Sequence, residues 1–465
     1  MRPLALLLLV AAGCAVGPNY TRPTVDAPPS YRGASGPGAG PSLGSEDWAR
    51  VFPDAVLAGL LREAVVNNQD VLIAAARIEQ AAAQVGIARA DQLPTVSAGI
   101  SGGRERLPAA PPVPAITTNL LQGTATLSWE LDFWGKFRRA SEAARAGLLA
   151  AEWNRRAIIT SLVSSVASGY YQLLELDLEH DIATRTLASR KESLELTQLQ
   201  ESHGTVSILD VRQAEQLVYN AAQTIVDVER RSAQQENLLC TLLGRNPGPI
   251  ARGRRLTEQP HEPVVPAGVP SEVLQRRPDI QAQEAQLVAA NAQIGVARAA
   301  FFPSISLTAS GGAQSSALSD LFKGPAGAWS FIGSLTQPIF EGGRLRSGVK
   351  LAEAQKKEQL ISYQQTIQRA FREVSDALVA YSKDQEFRAQ QALLADSTRD
   401  ALALSEQRYR GGAASYLEVL DAGTRTFTAE LGLAQAQLNE LLALVQLYAA
   451  LGGGWESAED HLAAR

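Results

Sequence analysis

The 465-residue sequence has few of the side chains from which catalytic and metal sites are usually built. It contains two cysteines, Cys14 and Cys240, and one methionine, Met1. Two cysteines cannot form a disulfide framework, and no phosphate-binding loop or nucleophile-elbow pattern is present. The histidines are scattered without the spacing of metal ligands: His180, His203, His261 and His461. The sequence therefore gives little support to an enzyme, and it predicts no metal site and no catalytic residue.

A strong charge of either sign and long apolar runs are also missing. The net charge is only −5, and no basic stripe interleaved with aromatic residues is present. These absences argue against a nucleic-acid-binding surface. No internal run reaches the roughly 18 apolar residues of a membrane-spanning helix, so we expect none. With 45% hydrophobic residues, the chain can nevertheless bury a large core.

The N-terminal residues resemble an export signal that ends at a lipid-attachment site. Arg2 precedes an apolar stretch over residues 4–12, which predicts a signal peptide over residues 1–13. The signal ends at AAGC (11–14), which resembles a bacterial lipobox, in which Cys14 receives an S-diacylglyceryl group and an N-palmitoyl group. By that resemblance, Ala15 favours the outer membrane. The alternative is an ordinary cleaved signal with an incidental cysteine.

A long internal repeat organises the rest of the chain. Residues 84–103, QVGIARADQLPTVSAGISGG, recur 209 positions later at residues 293–312 as QIGVARAAFFPSISLTASGG, with ten of twenty positions identical. The period is too long for a solenoid unit and indicates two copies of one module packed side by side. We therefore predict a first repeat over residues 54–245 and a second over residues 271–452. A lipidated extended segment (14–53), a proline-rich link (246–270) and a C-terminal tail (453–465) complete the chain.

Proline placement indicates unusually long helices. No proline occurs between Pro114 and Pro247 or after Pro338, and proline is strongly unfavourable inside a helix. These windows predict two long helices, 136–203 and 343–410, each about 100 Å long at 1.5 Å per residue. Shorter helices are expected on either side of each long one: 54–90 and 206–243 in the first repeat, 271–300 and 413–451 in the second.

Strands are predicted between the first helix and the long helix of each repeat. Residues 121–133, LQGTATLSWELDF, alternate apolar and polar side chains with a period of two. The same alternation predicts β-hairpins over residues 94–133 and 303–341. Strands of about 10 residues can cross a bilayer at a tilt, although a soluble sandwich with one wet face would show the same pattern. In lipid, four strands cannot close a barrel, so two chains with eight strands or three chains with twelve would be needed. The polar inner face favours three.

Five segments of the sequence are distinctive: CAVGPNYTRP (14–23), RRPDIQAQEAQL (276–287), ARAAFFPSISL (297–307), RYRGGAASYLEVLDA (408–422) and ALGGGW (450–455). In this order they resemble the outer membrane factor family, in particular its lipidated OprM and NodT-like branch related to TolC. The resemblance implies a homotrimeric channel-tunnel that combines a membrane β-barrel with a periplasmic helical barrel. It also implies a passive efflux duct that works with a periplasmic adaptor protein and an inner-membrane pump of the resistance-nodulation-division class. No cofactor beyond the lipid on Cys14 is implied.

The resemblance also implies which residues would dock the adaptor and which would close the channel. Adaptor docking is expected at two helix-to-helix turns, which contain His203 and Gly204 in the first repeat and Gly411 and Gly412 after Tyr409 in the second. A gate is expected just beyond the second turn. Leu417 matches the hydrophobic ring of the family and Asp421 its acidic ring. Thr424 occupies the position of the arginine that ties helices together in the family, and Arg425 follows one residue later.

Three other functions are consistent with the sequence. A type I secretion channel or a heavy-metal cation efflux channel would have the same architecture. A lipid-anchored periplasmic helical scaffold would explain the long helices and Cys14, but it would not explain four amphipathic strands of membrane length.

Overall fold

The structure is a computed structural model that describes residues 15–33, 42–109, 112, 114–260, 266 and 268–463. Cys14 lies outside these residues, as does His261. The chain divides into two compact units. The first contains Met1–Thr24, Arg77–Glu152 and Ala282–Gln364, and the second contains Val25–Ala76, Trp153–Gln281 and Gln365–Arg465.

The first unit contains a four-stranded antiparallel sheet. Its strands are β1 (Thr95–Leu107), β2 (Ile116–Leu131), β3 (Ser304–Ser315) and β4 (Gly327–Thr336), in the spatial order β1-β2-β3-β4. Each repeat contributes one hairpin, and the pairing of β2 with β3 joins the two repeats. Within the described residues, β1 and β4 each pair on one side only, so both edges of the sheet are open.

The register of the sheet gathers the apolar side chains on one face and the hydroxyl groups on the other. Val96, Leu127, Ala309 and Phe331 form one cross-strand row of the apolar face. The neighbouring row on the polar face is Ser97, Thr126, Ser310 and Ser330. In that row the hydroxyls of Ser310 and Ser330 lie 2.7 Å apart. The apolar face is uncovered within the chain, as shown by Ile100, which is 90% exposed, and Trp329, which is 84% exposed.

Aromatic side chains lie at the end of the sheet where β2 ends and β3 begins. The Trp134 ring stacks on Phe302 with centroids 4.7 Å apart, and its Nε1 donates to the Pro303 carbonyl at 2.7 Å. Trp129 Nε1 donates to the Gln92 carbonyl at 3.0 Å. Tryptophan combines an apolar ring with a polar N–H group and is typical of residues at a membrane–water interface.

Ten α-helices lie within the described residues. Each repeat contains three principal helices, and each of these has the same length as its counterpart in the other repeat. In chain order they are α1 (Trp48–Val51), α2 (Ala55–Asn67), α3 (Gln69–Ala90), α4 (Lys136–Ser202), α5 (Ile208–Leu242), α6 (Pro270–Arg276), α7 (Pro278–Ala299), α8 (Arg344–Arg410), α9 (Tyr416–Ala450) and α10 (Trp455–Ala463). Helices α3 and α7 each have 22 residues, α4 and α8 each have 67, and α5 and α9 each have 35.

Two helices expected to be continuous are interrupted, and here the sequence prediction is wrong. Residues 54–90 divide at Asn68, whose Oδ1 accepts from the backbone N–H groups of Asp70 at 2.9 Å and Val71 at 3.3 Å and so caps α3. Residues 271–300 divide at Arg277, whose ψ of 119° is extended. The residue before a proline avoids the helical region, which explains the break before Pro278.

Residues Trp455–Ala463 of the predicted C-terminal tail form a helix. Trp455, at the start of α10, packs edge-on against Trp153 with ring centroids 5.7 Å apart. The Arg156 guanidinium lies 4.2 Å from the Trp153 ring centroid, and its Nε donates to Glu459 at 2.8 Å. These contacts fasten the C-terminal helix to α4 within the second unit.

By length and composition alone, two helical segments of the described chain could cross a membrane: Ala55–Ala90 and Lys136–Ser202. The first is interrupted at Asn68. In the second, 56% of the apolar window is already buried inside the chain. Packing therefore accounts for much of its apolar character, and the segments are weak support for a membrane helix.

Candidate functional site

Two turns of matching geometry connect the helices at one end of the second unit. After α4, Gly204 N–H donates to Glu201 O at 2.8 Å and Thr205 N–H donates to Gln200 O at 3.0 Å. After α8, Gly412 N–H donates to Tyr409 O at 3.0 Å and Ala413 N–H donates to Arg408 O at 2.8 Å. This pair of bonds is the Schellman ending of a helix, which needs a left-handed residue. Glycine supplies it in both turns, with φ of 73° at Gly204 and 71° at Gly412.

Four of the five predicted docking residues lie on these turns and are solvent-exposed, whereas Tyr409 is half-buried. His203, Gly204, Gly411 and Gly412 are all exposed, and a Cβ atom added at Gly204 or Gly412 would meet no atom within 4 Å. His203 is oriented by a contact of 2.7 Å between its Nδ1 and the Leu199 carbonyl. The turns therefore present mostly small side chains with open space around them.

An aromatic cluster lies directly beneath the turns. The rings of Tyr409 and Tyr416 have centroids 5.4 Å apart, and Tyr409 Oη donates to Gln200 Oε1 at 2.6 Å. Tyr416 and Leu420 form a buried core with Ala214. Leu194, Leu217 and Val419 complete the cluster. It thus contains residues of α4, α5, α8 and α9, the helices that the two turns connect.

Burial keeps both tyrosines neutral. It raises the pKa of Tyr416 and of Tyr409 above the ordinary value of 10.0, and the nearby charge of Asp210 acts in the same direction. A neutral phenol can donate a hydrogen bond. The cluster therefore behaves as a protonated, hydrogen-bonded support for the turns over the physiological pH range.

The structure brings the three predicted gate residues together on one stripe of α9. Leu417, Asp421 and Arg425 follow one another at intervals of four residues, which places them on the same helix face. Leu417 is 62% exposed, and Asp421 and Arg425 are exposed as well. Arg425 Nε donates to Asp421 Oδ2 at 2.8 Å. The stripe therefore presents an apolar side chain followed by an exposed ion pair.

Neither Thr424 nor Arg425 takes the part of an arginine that ties helices together. The Thr424 hydroxyl donates to Leu420 O of its own helix at 2.8 Å, and Arg425 pairs within α9. One arginine that does join helices near this stripe is Arg190 of α4, which was not among the predicted site residues. Its Nη1 donates to Leu217 O on α5 at 2.8 Å, and its guanidinium lies 4.9 Å from the ring centroid of Phe427 on α9.

The apolar pattern of α4 predicts that Arg190 is buried. Arg190 follows the buried Ala183 by seven residues and precedes Leu194 by four, so it occupies an inward-facing helix position. A charged residue at such a position is buried by the helix geometry. Burial lowers the pKa of the Arg190 guanidinium.

A second buried arginine, Arg277, lies in the RRPDI segment and pairs with acidic residues. Arg277 Nη2 lies 2.7 Å from Asp279 Oδ2 and 2.7 Å from Glu373 Oε2, and its Nη1 donates to Ala450 O at 3.1 Å. These partners belong to α7, α8 and α9. Two carboxylates and a carbonyl compensate the desolvation of one guanidinium, so the cluster fixes the break between α6 and α7.

The segment that follows Cys14 is held against the end of the sheet. Val16 N–H donates to Trp134 O at 2.9 Å, and Arg139 Nη2 donates to Asn19 Oδ1 at 2.8 Å. Asn291 Nδ2 donates to Pro18 O at 2.9 Å. Ala15 thus lies beside the aromatic residues where β2 ends. In the described part of the chain, no group of three or more His, Cys, Asp or Glu side chains could hold a metal ion, and Cys240 is a buried free thiol.

Comparison with known proteins shows similarity along almost the whole chain. The model of the outer membrane efflux protein family matches residues 60–245 and 269–453. The toluene efflux pump outer membrane protein TtgC of Pseudomonas putida is 39% identical over 463 residues, covering 97% of this chain and 95% of that protein. The cation efflux system protein CusC of Escherichia coli is 35% identical over 467 residues, covering 98% of this chain and 100% of that protein.

A solved structure shows the same fold. The open state of the MtrE outer membrane channel of Neisseria gonorrhoeae superposes with a TM-score of 0.87 at 32% identity, covering 95% of this chain and 99% of that one. The helix-rich fold with a four-stranded sheet per chain is that of the trimeric outer-membrane channels. Such agreement over both repeats, together with the family match, shows that the chain belongs to the outer membrane efflux protein family, as the outer-membrane channel component of a tripartite efflux system.

Proposed function

We propose that three copies of the chain form a passive exit duct, a conduit rather than an enzyme. The observation that carries this proposal is the open four-stranded sheet, with exposed apolar residues on one face and hydroxyl groups on the other. Open edges in lipid leave backbone groups unpaired at a cost of several kcal/mol each. Three chains with four strands each would close a barrel of twelve, which is wide enough for a water-filled lumen.

The stripe of Leu417, Asp421 and Arg425 would close this duct at its periplasmic end. In a homotrimer each residue occurs three times about the axis, so Leu417 would supply an apolar ring and Asp421 an acidic ring. The exposure of all three side chains within one chain supports the proposal. No other part of α9 near the turn combines an exposed leucine and an exposed acid at this spacing.

Single-channel conductance of the purified protein in planar bilayers tests the gate. Asp421→Ala should enlarge the resting conductance because it removes the acidic ring and frees Arg425. Asp227→Ala is a matched control, since Asp227 on α5 forms a similar exposed pair with Arg230 at 2.6 Å. Unchanged conductance in Asp421→Ala, or an equal increase in both variants, would count against a gate at this position.

The two glycine turns would dock a periplasmic adaptor that connects the duct to an inner-membrane pump of the resistance-nodulation-division class. The open space around Gly204 and Gly412 supports this, because a partner backbone can approach closely where no side chain intervenes. Cysteine-directed cross-linking to the adaptor in whole cells from His203→Cys and Gly411→Cys, exposed neighbours of the two left-handed glycines, should trap the contact without straining the turns. Cross-links from Tyr219→Cys, an exposed position farther along α5, should be absent.

Lipidation of Cys14 would anchor each chain to the outer membrane. The backbone bond from Val16 to Trp134 supports this, because it holds the residues after Cys14 beside the interfacial aromatics. The mass of the mature protein should exceed the polypeptide mass by one diacylglyceryl and one acyl group, and Cys14→Ser should lack both. A mature wild-type chain with the bare polypeptide mass would refute the anchor.

Organic compounds are the proposed substrates. The relative with 39% identity is named for toluene efflux, whereas the relative named for cation efflux is 35% identical. A deletion strain should therefore become more sensitive to solvents and apolar drugs, with little change toward copper or silver. Sensitivity to the metals alone would favour a cation channel, and impaired export of a protein with unchanged sensitivities would favour type I secretion.

A further inference from the structure

A cavity of about 310 Å³ lies among α4, α5, α8 and α9 beneath the aromatic cluster. Arginine side chains from α4 and α8 line it, together with the apolar side chains of Leu402 and Phe427 and the bare backbone of Gly423. The volume is at the lower end of the range for small-molecule sites, which combine apolar walls with a few fixed polar groups. The cavity lies away from the exposed gate stripe of α9.

The positive charge in this cavity is only partly compensated. Arg190 is 9% exposed, and its one described hydrogen bond goes to a neutral carbonyl, Leu217 O. Neither Arg190 nor Arg185 has an acidic partner among the ion pairs of the described residues, and of the two only Arg190 is buried, since Arg185 is exposed. A buried guanidinium without a counter-ion is costly, and the lowered pKa of Arg190 reflects that cost.

The acidic side chains that face the cavity are already paired. Glu430 accepts from Arg399 Nε at 2.6 Å. Glu406 lies 3.5 Å from Arg410 Nη2. These pairs leave Arg190 and Arg185, both on α4, without an acidic partner in the cavity, and the Arg190 guanidinium lies 4.9 Å from the ring centroid of Phe427 on α9.

We propose that this cavity is a binding site for a small amphipathic organic anion. Its acid group would be held by Arg190 and Arg185, because a guanidinium fork matches the oxygens of a carboxylate or sulfonate. Its apolar body would lie against Phe427 and Leu402. This inference goes beyond the proposed export function, since the site is a recess between the helices of one chain and includes none of the gate residues.

Isothermal titration of 1-naphthalenesulfonate into the purified full-length protein in amphipol tests the site. We expect saturable binding of one molecule per chain. Arg190→Gln should weaken it at least tenfold, Arg185→Gln should weaken it less, and Arg190→Lys should retain part of it. Arg212→Gln, at an exposed arginine of α5 paired with Glu215 at 2.8 Å, should leave it unchanged.

Two further measurements distinguish the contribution of the charge to binding from that of the cavity volume. Gly423→Leu keeps every charge but fills the recess, and a Cβ there meets only Leu402 Cδ1 at 3.8 Å, so the fold should persist while binding is lost. The neutral analogue 1-naphthalenemethanol should bind at least tenfold more weakly. Absence of saturable binding, equal affinity for the alcohol, or full affinity in Arg190→Gln or Gly423→Leu would each overturn the proposal. Because titration needs no open channel, a failed export function would leave this result intact.

Discussion

Arg425 Nε lies 2.8 Å from Asp421 Oδ2, one turn back along the same helix. Both side chains are exposed, with 71% and 58% of their surfaces accessible, and exposed ion pairs of this kind stabilise a protein by only about 0.2–1 kcal/mol. The consequence is electrostatic: each carboxylate carries its own counter-ion, which reduces the attraction of an Asp421 ring for cations.

Removing that counter-ion should increase block of the channel by cations. In Arg425→Ala, Asp421 remains and its charge is no longer compensated, so we expect the half-blocking concentration of a trivalent cation to fall about twofold to fivefold, as the pair energy suggests. Asp421→Ala should be insensitive to the cation. Block measured in planar bilayers at low salt checks this, and equal block in wild type and Arg425→Ala would contradict a role for the pair.

Alanine at the left-handed glycine of the second turn should loosen the turn. Gly412 has φ of 71°, where an L-residue is strained by about 1–2 kcal/mol. Gly411 is the matched control, because its φ is not positive. Trypsin cleavage after the exposed Arg410 reports opening of the turn. We expect Gly412→Ala to be cleaved about 5- to 30-fold faster, with little change in Gly411→Ala. Equal rates would show that the strain is relieved elsewhere.

Alkaline pH should destabilise the aromatic cluster. Burial raises the pKa of Tyr409 and Tyr416 above 10.0. Their contribution to stability is therefore complete below about pH 10 and is lost as the pH rises through the higher folded-state values. Thermal midpoints from circular dichroism should fall above pH 10.

Phenylalanine variants identify the phenols responsible. Tyr409→Phe loses the hydrogen bond to Gln200, at about 1 kcal/mol, and should show a smaller alkaline drop. Tyr219→Phe, at an exposed tyrosine of α5, should behave as the wild type. An alkaline drop that is the same in all three proteins would contradict the prediction.

A buried acid on α4 should make the helices less stable as the pH rises through neutrality. Glu175 is 1% exposed, and burial, followed by its contact with Glu179, raises its pKa from 4.5 to about 8. Arg231 lies 2.8 Å from Glu179 but 4.0 Å from Glu175, so it compensates mainly the former. A carboxyl group whose folded pKa is raised contributes fully below about pH 4.5 and loses that contribution up to about pH 8.

Glutamine at position 175 should therefore stabilise the protein at high pH only. We expect Glu175→Gln to match the wild type at pH 5 and to exceed its stability by about 2 kcal/mol at pH 9, a value reduced from the pKa shift for relaxation and solvent access. Thermal midpoints at the two pH values check this. Glu229→Gln, at an exposed acid of α5, is the control, and an equal change at both pH values would show that only packing was altered.

Periodicity and proline placement predicted most of the fold. The family resemblance and the fold class are confirmed. The two helix breaks were missed because an apolar period of 3.6 continues across Asn68 and Arg277, while a cap and a following proline act on single residues. The helix Trp455–Ala463 was missed because it is short and depends on tertiary contacts with Trp153 and Arg156.

The candidate site was harder to predict than the fold. The turn glycines could be located because their backbone conformation requires that residue type. The partner of Arg425 could not be assigned, since Asp421 on its own helix and acids on other helices are equally compatible with the sequence. Arg190 was missed because long charged side chains are normally placed at the surface. The docking and gate assignments stay predictions.

The matched helix lengths constrain how the chain can vary. Helices α4 and α8 each have 67 residues, and the returning helices that follow them, α5 and α9, each have 35. One added residue in a single helix would shift the adjoining turn by about 1.5 Å and rotate it by about 100°. A viable change must then be compensated in the returning helix and copied into the other repeat. Insertions and deletions among relatives should accordingly be concentrated in the connecting loops, or occur as coordinated sets of whole heptads.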